Sequence, residues 1–222
     1  MSSVIADSGV IGVLDLQGGV QEHLDHLQRI GIAGRPVKRA VELENLAGLI
    51  IPGGESTCLS RLLDIFGLRA EIEAYYRRGL KLWGTCAGAI LLARENVGET
   101  PFFGLMDIAV NRNAFGSQLD SFQCAALAPA VAPEPIPLTF IRAPKIVRTG
   151  PDVRVLLSMQ DYVAAAEDDR ILVTVFHPEL TPSLAFHRYF ARKCGLHPTG
   201  DDETAVDPNW TPQSWIRFSP HA

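Results

Sequence analysis

The sequence predicts an α/β protein: a single-domain three-layer sandwich with a mostly parallel central sheet, flanking helices and some antiparallel strands. Three observations carry this. Near-continuous apolar runs at residues 10–16, 46–51, 80–85 and 171–176 suit strands buried on both faces of a parallel sheet. Segments of helical period lie between the first three of them, in the order β-α-β-β-α-β-α, which is the pattern of a doubly wound sheet. A chain of 222 residues is long enough to bury one such core.

The first run, Val10 to Leu16, ends in Gln17-Gly18-Gly19, with Asp15 breaking it near its C-terminal end. Val20, Leu24, Leu27 and Ile30 recur at helical spacing, so residues 20–30 form an amphipathic helix that Gly31 can close. His23 and His26 are expected on or near its solvent side. A short strand follows at 35–38, then the apolar run 46–51, then Pro52-Gly53-Gly54-Glu55-Ser56-Thr57. Ser56 or Thr57 can cap the next helix, whose inner face carries Leu59, Leu62, Leu63 and Phe66. The two glycines allow a sharp turn, so the segment is either an ordinary loop with an N-cap or an oxyanion hole at the sheet edge. A second helix spans about 69–78.

Residues 80–93 read as strand, abrupt turn and helix, with Cys86 at the turn and Gly84 and Gly88 two residues to either side. A side chain standing up from a strand-to-helix corner is crowded by neighbouring Cβ atoms. Glycines at those two positions relieve the crowding, as in the nucleophile elbow, here G-x-C-x-G. Cys86 is therefore either a nucleophile or a small buried cysteine packed at a corner.

The second half is strand-rich and is expected to extend the sheet and add antiparallel strands. Strands are predicted at 121–127, 138–141, 154–157, 162–166 and 171–176. A polar loop occupies 111–118, a four-proline surface connection 129–137, and a hairpin turn Asp168-Asp169. The last strand runs into His177-Pro178-Glu179. Residues at i and i+2 of an extended segment face the same way, so Glu179 can orient His177 and stabilise its imidazolium, the part of the third member of a triad. Leu184, Phe186 and Phe190 mark a closing helix in which His187 is structural. We assign residues 8–194 to the domain and 195–222 to an extended or disordered C-terminal tail, whose Trp210, Trp215 and Phe218 hint at docking.

A formal net charge of −5 argues against a nucleic-acid partner. No apolar run approaches the length of about 18 residues that a membrane span needs, so no membrane partner is expected. Four cysteines without paired spacing, and no signal sequence, point to reduced thiols in a cytoplasmic protein and to no structural metal. There is no P-loop and no G-x-G-x-x-G, so a nucleotide cofactor has no support.

Several separated segments match one family. Gly84-Thr85-Cys86-Ala87-Gly88 and His177-Pro178-Glu179 resemble the catalytic motifs of class I (triad) glutamine amidotransferases. Within that group, Leu16-Gln17-Gly18, residues 52–57, Asn113-Ala114-Phe115-Gly116, Asp120-Ser121-Phe122, residues 140–144 and residues 176–181 are similar to the glutaminase subunits of pyridoxal 5′-phosphate synthase. The match covers about 10–193. Asp15, Ser117 and Gln123 depart from the usual pattern, and the tail lies outside it.

The resemblance implies a flavodoxin-like class I amidotransferase fold and a glutaminase with no cofactor. Cys86 would be the nucleophile, His177 the general base and acid, and Glu179 the orienting carboxylate. Gly54, Glu55, Ser56, Arg112, Ile141 and Arg142 would bind L-glutamine, while Gln17, Gly53 and Ala87 would lie at the oxyanion site or the partner interface. The partner would be the synthase subunit, a dodecameric (β/α)8 barrel in a 12:12 complex, receiving ammonia for vitamin B6 synthesis. Two rival readings keep the fold: a glutaminase serving another synthase, and an interaction module without turnover.

Overall fold

A computed structural model describes residues 9–112 and 121–199. The segment Asn113 to Asp120, including Ser117, and the tail from 200 onward with Trp210, Trp215 and Phe218 lie outside the described residues.

The strands are β1 (Val10–Leu14), β2 (Ala33–Val37), β3 (Gly48–Ile51), β4 (Lys81–Thr85), β5 (Ala93–Asn96), β6 (Met106–Asn111), β7 (Phe122–Ala126), β8 (Ile136–Phe140), β9 (Lys145–Thr149), β10 (Arg154–Ser158), β11 (Val163–Glu167) and β12 (Ile171–Thr174). The helices are α1 (Val20–Arg29), α2 (Ser56–Ile65), α3 (Leu68–Arg77), α4 (Ala87–Leu92) and α5 (Ala185–Lys193).

The main sheet runs β2-β1-β3-β4-β12-β11-β9-β6-β5, with β10 beside β11. Its first five strands are all parallel. This is the flavodoxin-like order, with β12 in the fifth place. Beyond β12 the pairing turns antiparallel through β11, β9 and β6, and only β5 and β6 are again parallel. Burial explains the split. Every residue of β3 and β12 is buried, as a strand covered on both faces requires. By contrast, β9 and β10 carry exposed Val147 and Val155.

The two helical layers follow from β4. Consecutive side chains of a strand point to opposite faces. Trp83 packs against His187 and Phe190 of α5 and His23 of α1, whereas Gly84 lies against Gly88 of α4. So α1 and α5 cover one face and α4 the other. Among the described residues no helix is long and apolar enough to cross a membrane.

Several local expectations are corrected. The N-cap of α2 is Glu55, whose carboxylate accepts from Thr57 N–H (3.1 Å) and Cys58 N–H (2.6 Å), so neither Ser56 nor Thr57 caps it. A carboxylate adds charge to the same capping geometry at the positive end of the helix. Phe66 is 53% exposed rather than inward. The helix stops at Ile65 and Phe66 is its C-cap, so helical period no longer sets where the ring points. The proline segment is not all surface connection. Ile136 and Pro137 belong to β8, which pairs with β7 alone in a separate two-stranded sheet. A strand with one free edge tolerates a residue that cannot donate. Strands β5 and β9 had no legible signal: Ala-Arg-Glu-Asn and Lys-Ile-Val-Arg-Thr lack a clean alternation. At the domain boundary, Leu196 is buried and Thr199 N–H donates to Ile30 O (3.1 Å), so the chain past 194 begins packed against the end of α1.

Candidate active site

Parallel pairing aligns the C-terminal ends of four strands, and the candidate residues follow directly after them. Ile51 pairs with Gly84, and Thr174 with Thr85. The loops after β1, β3, β4 and β12 therefore emerge side by side, carrying Gln17, Gly53 and Gly54, Cys86, and His177.

Cys86 stands at φ 47°, ψ −103°, a conformation unusual for a residue with a Cβ. Its N–H donates to Thr174 O (2.8 Å), which ties the turn to β12. The flanking glycines act as the elbow spacing requires. A Cβ on Gly84 would lie 2.5 Å from the carbonyl carbon of Gly88, and one on Gly88 would collide with the Ile51 carbonyl oxygen. The helix that follows is short and wholly buried, so it is enclosed rather than amphipathic. Ala87 is in its first turn, where the N–H has no carbonyl partner within the helix.

His177 is positioned by its own N–H, which donates to Thr139 O (2.8 Å), and by Phe176, whose ring lies against Phe140 and Phe186. Its Nδ1–H donates to Glu179 Oε1 at 2.8 Å. Burial alone would lower the imidazole pKa, but the Cys86 sulfur and the Glu179 carboxylate together raise it well above its usual value. A Cβ on Gly53 would strike His177 Cε1 and come within 3.2 Å of Cys86 Cβ, so this glycine closes the site over both. Exposure is graded: the side chain of His177 is 12% exposed and that of Glu179 1%.

The structure also shows what sequence reasoning missed. His23 and His26 are buried, not solvent-facing. The signal was present: at about 100° per residue, His23 falls between Ile30 and Leu27 on the helical wheel, inside the apolar arc, and His26 borders it. His23 Nε2 faces Glu179 Oε2 at 3.5 Å, and its Nδ1 lies 2.8 Å from His187 Nε2. Burial would raise the Glu179 carboxyl, but the His23 and His177 rings bring it down to about 2. Burial also takes His23 down to about 4, against the pull of Glu179. At neutral pH His177 is therefore the charged partner of Glu179, and His23 is a neutral ring.

The residues expected around the substrate divide. Gln17 and Gly54 are in contact: Gln17 Oε1 accepts from Glu55 N–H (3.1 Å), and the side chain covers Gly54, which stands at φ 141°. Arg112 reaches the same loop and bridges Glu55 (3.0 Å) and Glu99 (3.0 Å), also donating to Thr57 Oγ1 (3.3 Å). Glu99 had not been singled out from the sequence. Ser56 is buried at the start of α2. Ile141 and Arg142 follow β8, the strand whose Thr139 carbonyl holds His177, and Arg142 has a left-handed backbone at φ 47°. Among the described residues, no group of three His, Cys, Asp or Glu side chains is arranged to hold a metal ion.

The sequence profile of the SNO glutamine amidotransferase family matches residues 13–196. A curated relative from Syntrophus aciditrophicus, pyridoxal 5′-phosphate synthase subunit PdxT, is 59% identical over 212 residues, 95% of each chain. An alignment of that length runs past residue 195, so part of the tail is shared with this relative. The protein of the same name from Clostridium botulinum is 46% identical over 185 residues, 82% of this chain and 96% of its own. Among solved structures, one described as a glutamine amidotransferase superposes with a TM-score of 0.79 at 41% identity, covering 85% of this chain and all of its own.

Proposed function

The chain belongs to the SNO glutamine amidotransferase family, and on that premise we propose that it hydrolyses L-glutamine to L-glutamate and ammonia as the glutaminase subunit of a pyridoxal 5′-phosphate synthase. The observation that carries the reading is the convergence of Cys86, His177 and Glu179 at one sheet edge, with Glu179 bonded to His177 and Gly53 lying against both His177 and Cys86.

The raised imidazole pKa favours the protonated ring, which places a proton donor beside the Cys86 nucleophile. The Cys86 thiolate attacks the side-chain amide carbon of glutamine, forming a C–S bond and an oxyanion. N–H groups at Gly53–Gly54 and Ala87 stabilise that oxyanion, and loss of one such donor typically costs about 3 kcal/mol. The His177 imidazolium gives its proton to the amide nitrogen as the C–N bond breaks and ammonia leaves. Neutral His177 then takes a proton from water, hydroxide attacks the thioester, and the C–S bond breaks to return the thiolate and release glutamate.

Free glutamine carries an α-carboxylate and an α-ammonium. Arg112 beside Glu55 offers a cation and an anion at the rim of the site, with Ser56, Ile141 and Arg142 completing the binding surface. Ammonia is protonated in neutral water and is then no nucleophile, so it must pass directly to an acceptor. Gln17 sits between the Gly54 loop and the end of β1, where a partner can reach it. That partner, as the resemblance implies, is a (β/α)8-barrel synthase subunit assembled as a dodecamer with twelve copies of this chain, in the cytoplasm.

Glutamate release from glutamine, with and without the cognate synthase subunit, tests the reading. Activity should rise strongly with the partner, and Cys86→Ser should abolish release while still forming the complex. Wild-type protein that binds glutamine in the complex yet releases no glutamate would overturn the glutaminase assignment.

A further inference from the structure

Glu179 has two oxygens and the triad uses one. Oε1 accepts from His177 Nδ1–H, whereas Oε2 faces inward, to His23 Nε2 at 3.5 Å. Both atoms are buried, and among the described residues neither completes a hydrogen bond, to the other or to a third group. Behind His23 stands His187, also fully buried, with Nε2 2.8 Å from His23 Nδ1. Trp83 meets both rings edge-on, at 5.6 and 4.9 Å between centroids. His26 lies against His187 at 4.5 Å with the rings tilted by 39°, and its ring nitrogens lie 2.9 Å from Thr181 O and Glu22 O. The rings thus form a buried column behind the carboxylate, reaching from α1 to α5.

Electrostatics selects one proton arrangement. In the column His187 Nε2 and His23 Nδ1 share one hydrogen. If His23 supplied it, the lone pair on His23 Nε2 would point at a carboxylate oxygen. If His187 supplies it, His23 keeps its hydrogen on Nε2 and donates toward Glu179, and the unprotonated His187 Nδ1 is left without a partner. A bare lone pair in the core costs less than one aimed at an anion.

We propose that His23 is a positioning residue of the glutaminase site: its Nε2–H holds the second oxygen of Glu179, and His187 Nε2–H fixes His23 in the tautomer that can do so. The carboxylate is then pinned at both oxygens and cannot swing away from His177. His177 changes charge twice in each turnover. A neutral N–H on the far side of Glu179 steadies the anion in every state without adding a second cation. The inference rests on the glutaminase reading above.

The ionisable groups facing Glu179 are His177 on its own loop, His23, Glu22 and His26 from α1, His187 from α5 and, across His177, Cys86; Arg29 stands beyond His26 and His187. Removing a donor to the ionised carboxylate raises its pKa. From a starting value of about 2 the carboxyl still stays ionised at neutral pH, so the defect is one of positioning and is read in kcat rather than in a lost charge.

The test compares wild type, His23→Leu and His23→Gln, each in complex with the cognate synthase subunit, for glutamate release at about pH 7. In His23→Leu kcat should fall about tenfold, the scale of one hydrogen bond to a charged group, with KM within about twofold. His23→Gln can place an amide N–H near the lost Nε2 and should recover most of kcat. A folded His23→Leu with wild-type kcat would overturn the proposal. So would equal impairment of Leu and Gln, which is what a purely structural ring would give. If His23→Leu does not fold, nitrogen-15 spectra of the unmodified protein decide: the neutral Nε2–H tautomer of His23 near pH 7 supports the proposal, and the Nδ1–H tautomer or an imidazolium refutes it. Absence of glutamate release by the wild-type complex would count against the glutaminase reading instead, and the tautomer would still report on His23.

Discussion

Two buried carboxylates at opposite edges of the same sheet are held in different ways. Glu167 closes β11, antiparallel to β12 and opposite Leu172, at the edge where the parallel strands begin. It accepts from Arg154 (2.5 Å), Tyr189 Oη (2.6 Å) and Lys193 Nζ (3.0 Å). Burial would raise its pKa, but Tyr189, Lys193 and Arg154 hold it below the usual carboxylate value. Glu179, at the edge where the strands end, is surrounded by imidazoles. Arginine and lysine stay charged across the physiological range, so the first network is fixed. His177 exchanges its proton with the reacting groups, so the second can follow a reaction. The difference teaches that burial and a lowered carboxylate pKa do not by themselves mark a catalytic group. What marks it is a partner able to change charge.

The sharpest way to break this comparison is to neutralise each carboxylate at constant volume. Glu179→Gln should lower kcat on the order of 10³-fold in the complex, because a neutral amide cannot stabilise the imidazolium. Glutamate release measures it, and near-normal turnover would remove Glu179 from the mechanism. Glu167→Gln should leave turnover within about twofold yet cost about 2 kcal/mol of stability, by leaving Lys193 and Arg154 short of their counter-charge. Urea denaturation reads that loss, and a catalytic defect without destabilisation would collapse the distinction.

The smallest effect is the pH dependence of stability. His23 is lowered from 6.5 to about 4, and His26 and His187 are lowered too, in each case foremost by burial. An unfolded chain protonates these rings as pH falls below 6.5, while the folded chain resists until lower pH. Stability should therefore fall as pH falls from 6.5 toward 4, with Glu179 adding a further loss between 4.5 and about 2. His177, raised instead, works in the opposite sense: its contribution is complete below 6.5 and is lost as pH rises through its folded value. Thermal unfolding at several pH values should show the acid-side decline, and His187→Leu should flatten it. An unchanged slope in that variant would mean that the imidazole column is not what titrates.

Much of this was legible along the chain. The doubly wound half could be read because double burial leaves an unbroken apolar run, and the elbow because only glycine fits two residues to either side of Cys86. His177 and Glu179 were visible as a pair because they are two residues apart. Other features had no such local mark. Strands β5 and β9 are held by partners rather than by their own alternation. Glu99 meets Arg112 only once the chain has folded.

By itself, the sequence determined the layer architecture, the order of the strands that carry the site, and the identity of the nucleophile, base and carboxylate candidates. These depend on period, spacing and the steric demands of turns, all of which are local. Tertiary structure alone decided that three histidines from α1 and α5 meet behind Glu179, and that Arg112 bridges Glu55 and Glu99. Such contacts join residues up to 164 positions apart, and the field that sets a proton's place is summed over every element packed around it.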